Sequence, residues 1–121
     1  MIIVNEEYIN TDRTKKQGEV TNTYWNILDC FGKPTYSYDD TWGDDRYATK
    51  VEWSLEIDDV VVTIYDWYIN GKPEHNMLWM IGGKEPKAVD KYKDAMREYA
   101  ERKLNIVKQH FGRDNDKLLF C

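Results

Sequence analysis

The stretch Lys50-Val51-Glu52-Trp53-Ser54-Leu55-Glu56-Ile57-Asp58-Asp59-Val60-Val61-Val62-Thr63-Ile64-Tyr65-Asp66-Trp67-Tyr68 decides the fold. Residues 50–57 alternate polar and apolar side chains without a break, as a half-buried strand does. Residues 60–68 are β-branched and aromatic, and Asp58-Asp59 between the two runs reads as a two-residue turn. A hairpin follows, with Ile57 opposite Val60, Leu55 opposite Val62, Trp53 opposite Ile64 and Val51 opposite Asp66 on the core side. The second face then sets Lys50 opposite Trp67, Glu52 opposite Tyr65, Ser54 opposite Thr63 and Glu56 opposite Val61.

Downstream, Asn70-Gly71-Lys72-Pro73 is a second turn signal, and Met77-Leu78-Trp79-Met80-Ile81 is a third strand that Gly82-Gly83 ends. Pro86 suits the first turn of a helix. Ala88, Val89, Tyr92, Ala95, Met96, Tyr99, Ala100, Leu104, Val107 and Phe111 then recur mostly three or four apart, up to Gly112. This helix of about 26 residues would run roughly 39 Å, further than the strands reach. Its end then either projects toward an oligomeric or other partner, or packs on the N-terminal arm or the tail Leu118-Leu119-Phe120.

Upstream, Tyr24, Ile27, Leu28 and Phe31 define a short amphipathic helix within residues 21–31, entered through a Thr or Asn N-cap and left through Gly32 and Pro34. Beyond a short strand at Ile2–Val4, residues 5–20 are polar and read as a loop. The expected fold is α+β: a three-stranded antiparallel meander with a short N-terminal helix and a long C-terminal helix packed on one face. One domain spans residues 1–121, with residues 1–20 a loosely held arm and 113–121 a tail.

Composition agrees with one core. A chain of 121 residues with five Trp and nine Tyr has enough large side chains to build it, even at 32% charged residues. No apolar run approaches the roughly 20 residues that span a bilayer, and the N-terminus resembles no signal sequence, so a cytoplasmic setting is expected. Cys30 and Cys121 form no disulfide framework and no zinc spacing, and Cys30 reads as a small buried apolar residue. His75 and His110 have no partners at ligand spacing, so no metal, cofactor or catalytic group is expected.

The net charge of −5 is uneven. Residues 1–60 hold thirteen acids to six bases, whereas residues 61–121 hold nine to eleven. An acidic pole spans Asp29 to Asp59; it disfavours nucleic acid and attracts a basic partner. Within it, Asp39, Asp40, Asp44 and Asp45 either hold a hard cation, for which their spacing fails the usual Asp-rich loop, or meet a partner, or are merely solvated. If they meet a partner, the interleaved Tyr36, Tyr38, Trp42 and Tyr47 are the natural anchors. The second face of the hairpin adds Glu52, Glu56, Tyr65 and Trp67 as candidate partner-binding residues. Gly82-Gly83-Lys84 before a helix is a weak candidate for anion binding. Asp66, on the apolar side, is either a functional acid or a strand-end carboxylate hydrogen-bonded to a Tyr or a turn amide.

Phe31-Gly32-Lys33-Pro34-Thr35, Val51–Ile57, Thr63-Ile64-Tyr65-Asp66-Trp67 and Trp79-Met80-Ile81-Gly82-Gly83 together resemble a type of small α+β accessory protein carried by tailed bacteriophages. The resemblance covers residues 24–93. It implies the fold and a phage setting, and no particular functional residues. A compact acidic phage protein of this kind is expected to bind and inhibit a host protein with a basic surface, such as a defence nuclease or CRISPR effector, in the host cytoplasm. The alternatives are a binder of a nucleotide signal or another small molecule, and a structural virion protein that self-associates through the long helix.

Overall fold

The computed structural model describes residues 1–37, 51–66 and 76–111. In chain order the elements are β1 (Ile3–Asn5), β2 (Lys15–Thr23), α1 (Tyr24–Phe31), β3 (Tyr36–Ser37), β4 (Val51–Ile57), β5 (Val60–Tyr65), β6 (Asn76–Gly83) and α2 (Lys87–Phe111). The β4–β5 hairpin has the register its alternation dictates, from Ile57 opposite Val60 to Glu52 opposite Tyr65. Asp58 and Asp59 both adopt positive φ, 48° and 68°, which gives a two-residue turn the twist of its flanking strands. Asp tolerates that region better than most residues.

The sheet has six strands, not three. The meander β4-β5-β6 is its centre, β2 extends it beyond β6, and β1 and β3 share the far edge of β4. All pairs are antiparallel. At the hairpin tip, Asp58 Oδ1 accepts from the Ile2 N–H at 2.9 Å and the Asp58 N–H donates to the Ile2 carbonyl at 2.9 Å, which ties down β1. The expected short N-terminal strand is present as β1, whereas residues 15–20, expected in a loop, belong to β2, with residues 6–14 connecting the two.

Strand β2 escapes apolar alternation for a physical reason. Its core-side positions are Gly18, Val20 and Asn22, opposite Ile81, Trp79 and Met77. A Cβ on Gly18 would lie 2.9 Å from Val89 Cγ2, so α2 occupies the space a side chain would need. Asn22 instead donates from Nδ2 to the Tyr92 hydroxyl at 2.9 Å, while its Oδ1 accepts from Asn26 Nδ2 at 3.0 Å. This one amide joins β2 to both helices.

Strand β6 also runs past its expected end. Gly83 pairs with Val62 and Gly82 with Thr63. A Cβ on Gly83 would stand 2.4 Å from Ala88 Cβ, so the glycine lets α2 begin close against the sheet.

Both helices cover one face. In α1, Thr23 Oγ1 caps the N-terminus by accepting from the Asn26 N–H at 3.1 Å, and Gly32, with φ 84°, returns its N–H to the Leu28 carbonyl at 2.8 Å. Ile27 and Phe31 of α1 and Ala88, Tyr92 and Ala95 of α2 meet Val51, Trp53, Leu55, Ile57, Val62, Ile64, Trp79 and Ile81 of the sheet. Trp53 and Trp79 pack edge to face, with ring centres 5.7 Å apart. Their indole N–H groups donate to the carbonyls of Gly32 and Asn22 at 2.9 and 3.0 Å, so each ring is buried without an unmet donor.

Residues 101–106 of α2 are exposed, with Leu104 and Ile106 at 54% and 57%, while the tail Leu118-Leu119-Phe120, the expected alternative cover, lies outside the described residues. Among the described residues no helix is long and apolar enough to cross a membrane.

Candidate functional site

With the helices on one side, the other face of the sheet carries the side chains that alternation turns away from the core. Cross-strand pairing aligns them in rows. Tyr36 opposes Glu52, Glu52 opposes Tyr65, Tyr65 opposes Met80, and Met80 opposes Glu19, so one row crosses five strands from β3 to β2. Directly opposed side chains lie roughly 4.5–5.5 Å apart at Cβ, close enough to touch. The next row, Ser54 opposite Thr63 and Thr63 opposite Gly82, is buried, and the row beyond it carries Val4, Glu56 and Val61.

Tyr65, Met80, Leu78, Lys16 and Glu19 line a groove of ≈ 610 Å³. Leu78 is 45% exposed at its side, and Lys16 and Glu19 are joined by an ion pair. Gly82 lies beside Tyr65, opposite Thr63. A Cβ there would meet Thr63 Oγ1 at 2.3 Å and Tyr65 Cε1 at 3.3 Å, so the missing side chain leaves the space that the Thr63 hydroxyl occupies, with the Tyr65 ring against it.

The electrostatics centre on Glu52. Burial pushes its carboxyl above the ordinary value, a hydrogen bond from Ser54 Oγ at 3.4 Å draws it back, and the Asp66 carboxylate pushes it up again. Among the described residues no Lys or Arg forms an ion pair with it. The Tyr65 phenol is also raised, chiefly by burial; Lys16 lowers it and Glu52 adds to the rise.

Of the residues that sequence reasoning selected, Glu52, Glu56 and Tyr65 therefore share a face. Tyr38, Asp39, Asp40, Trp42, Asp44, Asp45, Tyr47 and Trp67 lie outside the described residues, as do His75 and the tail. Gly82 and Gly83 sit inside β6, paired with β5 on one side and β2 on the other, and the Gly83 carbonyl accepts from Gln17 Nε2 at 2.9 Å. Their visible role is close packing. Lys84 is exposed beyond them. Asp66 is buried, and its Oδ1 accepts from the Val51 N–H at 2.9 Å, which fits a carboxylate closing the open end of the hairpin. Among the described residues no group of three or more His, Cys, Asp or Glu is placed to share a metal ion.

Lys16, Glu19, Leu78 and Met80 complete the face and were not singled out from sequence; Tyr36, expected as an anchor of the acidic loop, stands at its β3 edge. Leu78 and Met80 were within reach, because a strand that turns Trp79 and Ile81 to the core turns them away. Lys16 and Glu19 were not, since β2 itself was unreadable.

A smaller groove of ≈ 330 Å³ lies on the helix side between Trp25, Asn26, Leu28, Asp29 and Lys103. There the Tyr99 hydroxyl donates to Asp29 at 2.6 Å, and with Lys103 it holds the Asp29 carboxyl below the usual range. A third, of ≈ 530 Å³, is lined by Asn5–Tyr8 and Lys33–Thr35. Asn5 there donates to the carbonyls of Phe31 and Lys33, holding the chain after α1.

A scan of protein-family models finds no match to the chain, and searches of curated proteins and of solved structures find none either.

Proposed function

We propose that the chain is a bacteriophage accessory protein that binds a host protein with a basic surface through the helix-free face of its sheet, and inhibits that protein by occupying the surface. The observation that carries the reading is the row Tyr36, Glu52, Tyr65, Met80, Glu19. It combines the aromatic rings of Tyr36 and Tyr65 with carboxylates over a buried Met80, and the acids supply steering while the rings supply affinity. A target that presents a basic nucleic-acid channel, such as a nuclease or a CRISPR effector, fits an acidic decoy.

The test is an affinity capture from host extract with the unmodified chain and with a folded Glu52→Lys, Glu56→Lys variant, each at low and high salt. A protein retained by the unmodified chain, released by salt and absent with the variant supports the reading. Retention that ignores both changes refutes it. The groove also places an aromatic ring beside a lysine, Tyr65 and Lys16, which favours a nucleotide-like ligand as the second reading. A thermal-shift panel of nucleotides decides it, since ligand at 100 times its dissociation constant stabilises by about 2.7 kcal/mol.

A further inference from the structure

We propose that two copies of the chain pair edge to edge through β2, antiparallel about a two-fold axis centred on Val20, so that their sheets join into one. The pairing stands on the geometry of the edge and does not depend on the reading of the helix-free face above.

Strand β2 closes one side of the sheet, and among the described residues no strand pairs its outer edge. Which of its backbone groups point outward follows from the register. The residues flanking a two-residue turn, Ile57 and Val60, exchange both backbone bonds, and bonded and non-bonded pairs then alternate along each antiparallel ladder. Val60, Val62 and Ile64 therefore face β4, while Thr63 and Tyr65 face β6, where they meet Gly82 and Met80. Trp79 and Ile81 are left to face Val20 and Gly18 of β2. The N–H and C=O groups of Glu19, Thr21 and Thr23 consequently point away from the sheet. The Thr23 N–H agrees with this, since it donates to the neighbouring Asn22 Oδ1 at 2.8 Å.

Exposed edge strands are commonly blunted by lysines, bulges or proline. Strand β2 has such devices in its first half only: Lys15, Lys16 and a bulge between Lys16 and Gly18. After Glu19 no charged side chain follows until Asp29. The open part, residues 18–23, suits a second copy because it is complementary to itself. Centred on Val20, the pairing sets Glu19 opposite the second copy's Thr21 and Thr21 opposite the second copy's Glu19, and each such pair exchanges both of its backbone bonds. Val20 meets its own equivalent at the non-bonded position, where side chains approach most closely. Centring on Glu19 would oppose two carboxylates, and centring on Thr21 would require the Thr23 N–H, which Asn22 already holds.

The axis stands perpendicular to the sheet, so the helix-free faces of both copies look the same way. The row Tyr36, Glu52, Tyr65, Met80, Glu19 then runs on into the second copy's Thr21 and Leu78. Each groove beside β2 gains the other as its neighbour, and the face doubles.

The experiment is size exclusion with light scattering on the full chain, at concentrations up to about 1 mM. The unmodified chain should run as a monomer–dimer equilibrium within that range. Thr21→Pro removes an outward N–H and leaves the ladder with β6 intact, so it should be monomeric with unchanged tryptophan emission and near-UV circular dichroism. Thr21→Glu faces the second copy's Glu19 and should weaken dimerisation at least tenfold, whereas Thr21→Lys should retain it. Ile106→Glu, on the exposed end of α2, should change nothing.

A chain that is monomeric throughout overturns the pairing, as does a dimer that survives both Thr21→Pro and Thr21→Glu. Loss of the dimer in Ile106→Glu alone moves the contact to α2 and overturns it too. A dimer lost in Thr21→Pro but equally tight in Thr21→Glu and Thr21→Lys refutes the register centred on Val20.

Discussion

Replacing Gly83 by alanine tests the close approach of α2 to the sheet. The new Cβ would lie 2.4 Å from Ala88 Cβ and 3.0 Å from the Val61 carbonyl oxygen, whereas carbon atoms in good contact sit about 3.5–4.0 Å apart. Neither Cβ can rotate away, so the start of α2 must lift by more than 1 Å or so, loosening Ala88 and Tyr92 from the sheet. Overpacking of this kind costs roughly 1–3 kcal/mol. Alanine recovers about 0.4–1 kcal/mol by restricting the unfolded chain, and the net loss should be about 1–2 kcal/mol. For a chain of this length that corresponds to a fall in Tm of roughly 4–8 °C.

Urea unfolding followed by tryptophan fluorescence reads this loss, since Trp53 and Trp79 are fully buried beside the affected layer. Ala88→Gly removes the opposing methyl, so in the double variant the two costs should be markedly less than additive. A Gly83→Ala chain as stable as the unmodified one, with no coupling to Ala88→Gly, would refute the seating of α2 on β6.

Three further outcomes are expected. Because burial raises the Glu52 carboxyl above its ordinary value of 4.5, its folded state binds a proton more readily than its unfolded state. The stability this confers is full below 4.5 and is lost as pH rises through the folded value. The difference in urea midpoint between Glu52→Gln and the unmodified chain should therefore grow in favour of Gln across that window and level off above it, and a gap that widens as pH falls would contradict this. Cys30, whose thiol is pushed up to about 11 by burial, should alkylate far more slowly than a free thiol at pH near 8, with a rate that climbs about tenfold per pH unit; the Cys121→Ser chain isolates its signal. Thr23→Ala removes the cap on the Asn26 N–H and should cost about 0.5–2 kcal/mol in urea unfolding, whereas Thr23→Asn should retain most of it.

Legibility in the sequence followed how much each element depends on its own residues. The β4–β5 hairpin was readable to the individual pair, since Trp53, Leu55 and Ile57 alternate with Glu52, Ser54 and Glu56 and two Asp residues mark the turn. Helix α2 was readable from its apolar steps, and its observed bounds, Lys87–Phe111, agree closely with them. Strand β2 was not, because a glycine and an asparagine hold two of its core positions and their partners, Val89 and Tyr92, lie some 70 residues away. Strand β3 has two residues and exists only through its pairing with β4. The same asymmetry ran through the site: Glu52 and Tyr65 were found from their own strands, while Lys16, Glu19 and Tyr36 join them only through long-range register.

The central claim is that a partner meets the helix-free face. It is tested most directly by site-specific photocrosslinking in host extract, with a benzophenone side chain at Leu78, on the groove, or at Arg97, on α2. The account expects a discrete adduct from position 78 that salt suppresses and Glu52→Gln weakens, and none from position 97. An adduct from position 97 alone, or one from position 78 unchanged by both salt and Glu52→Gln, would contradict it.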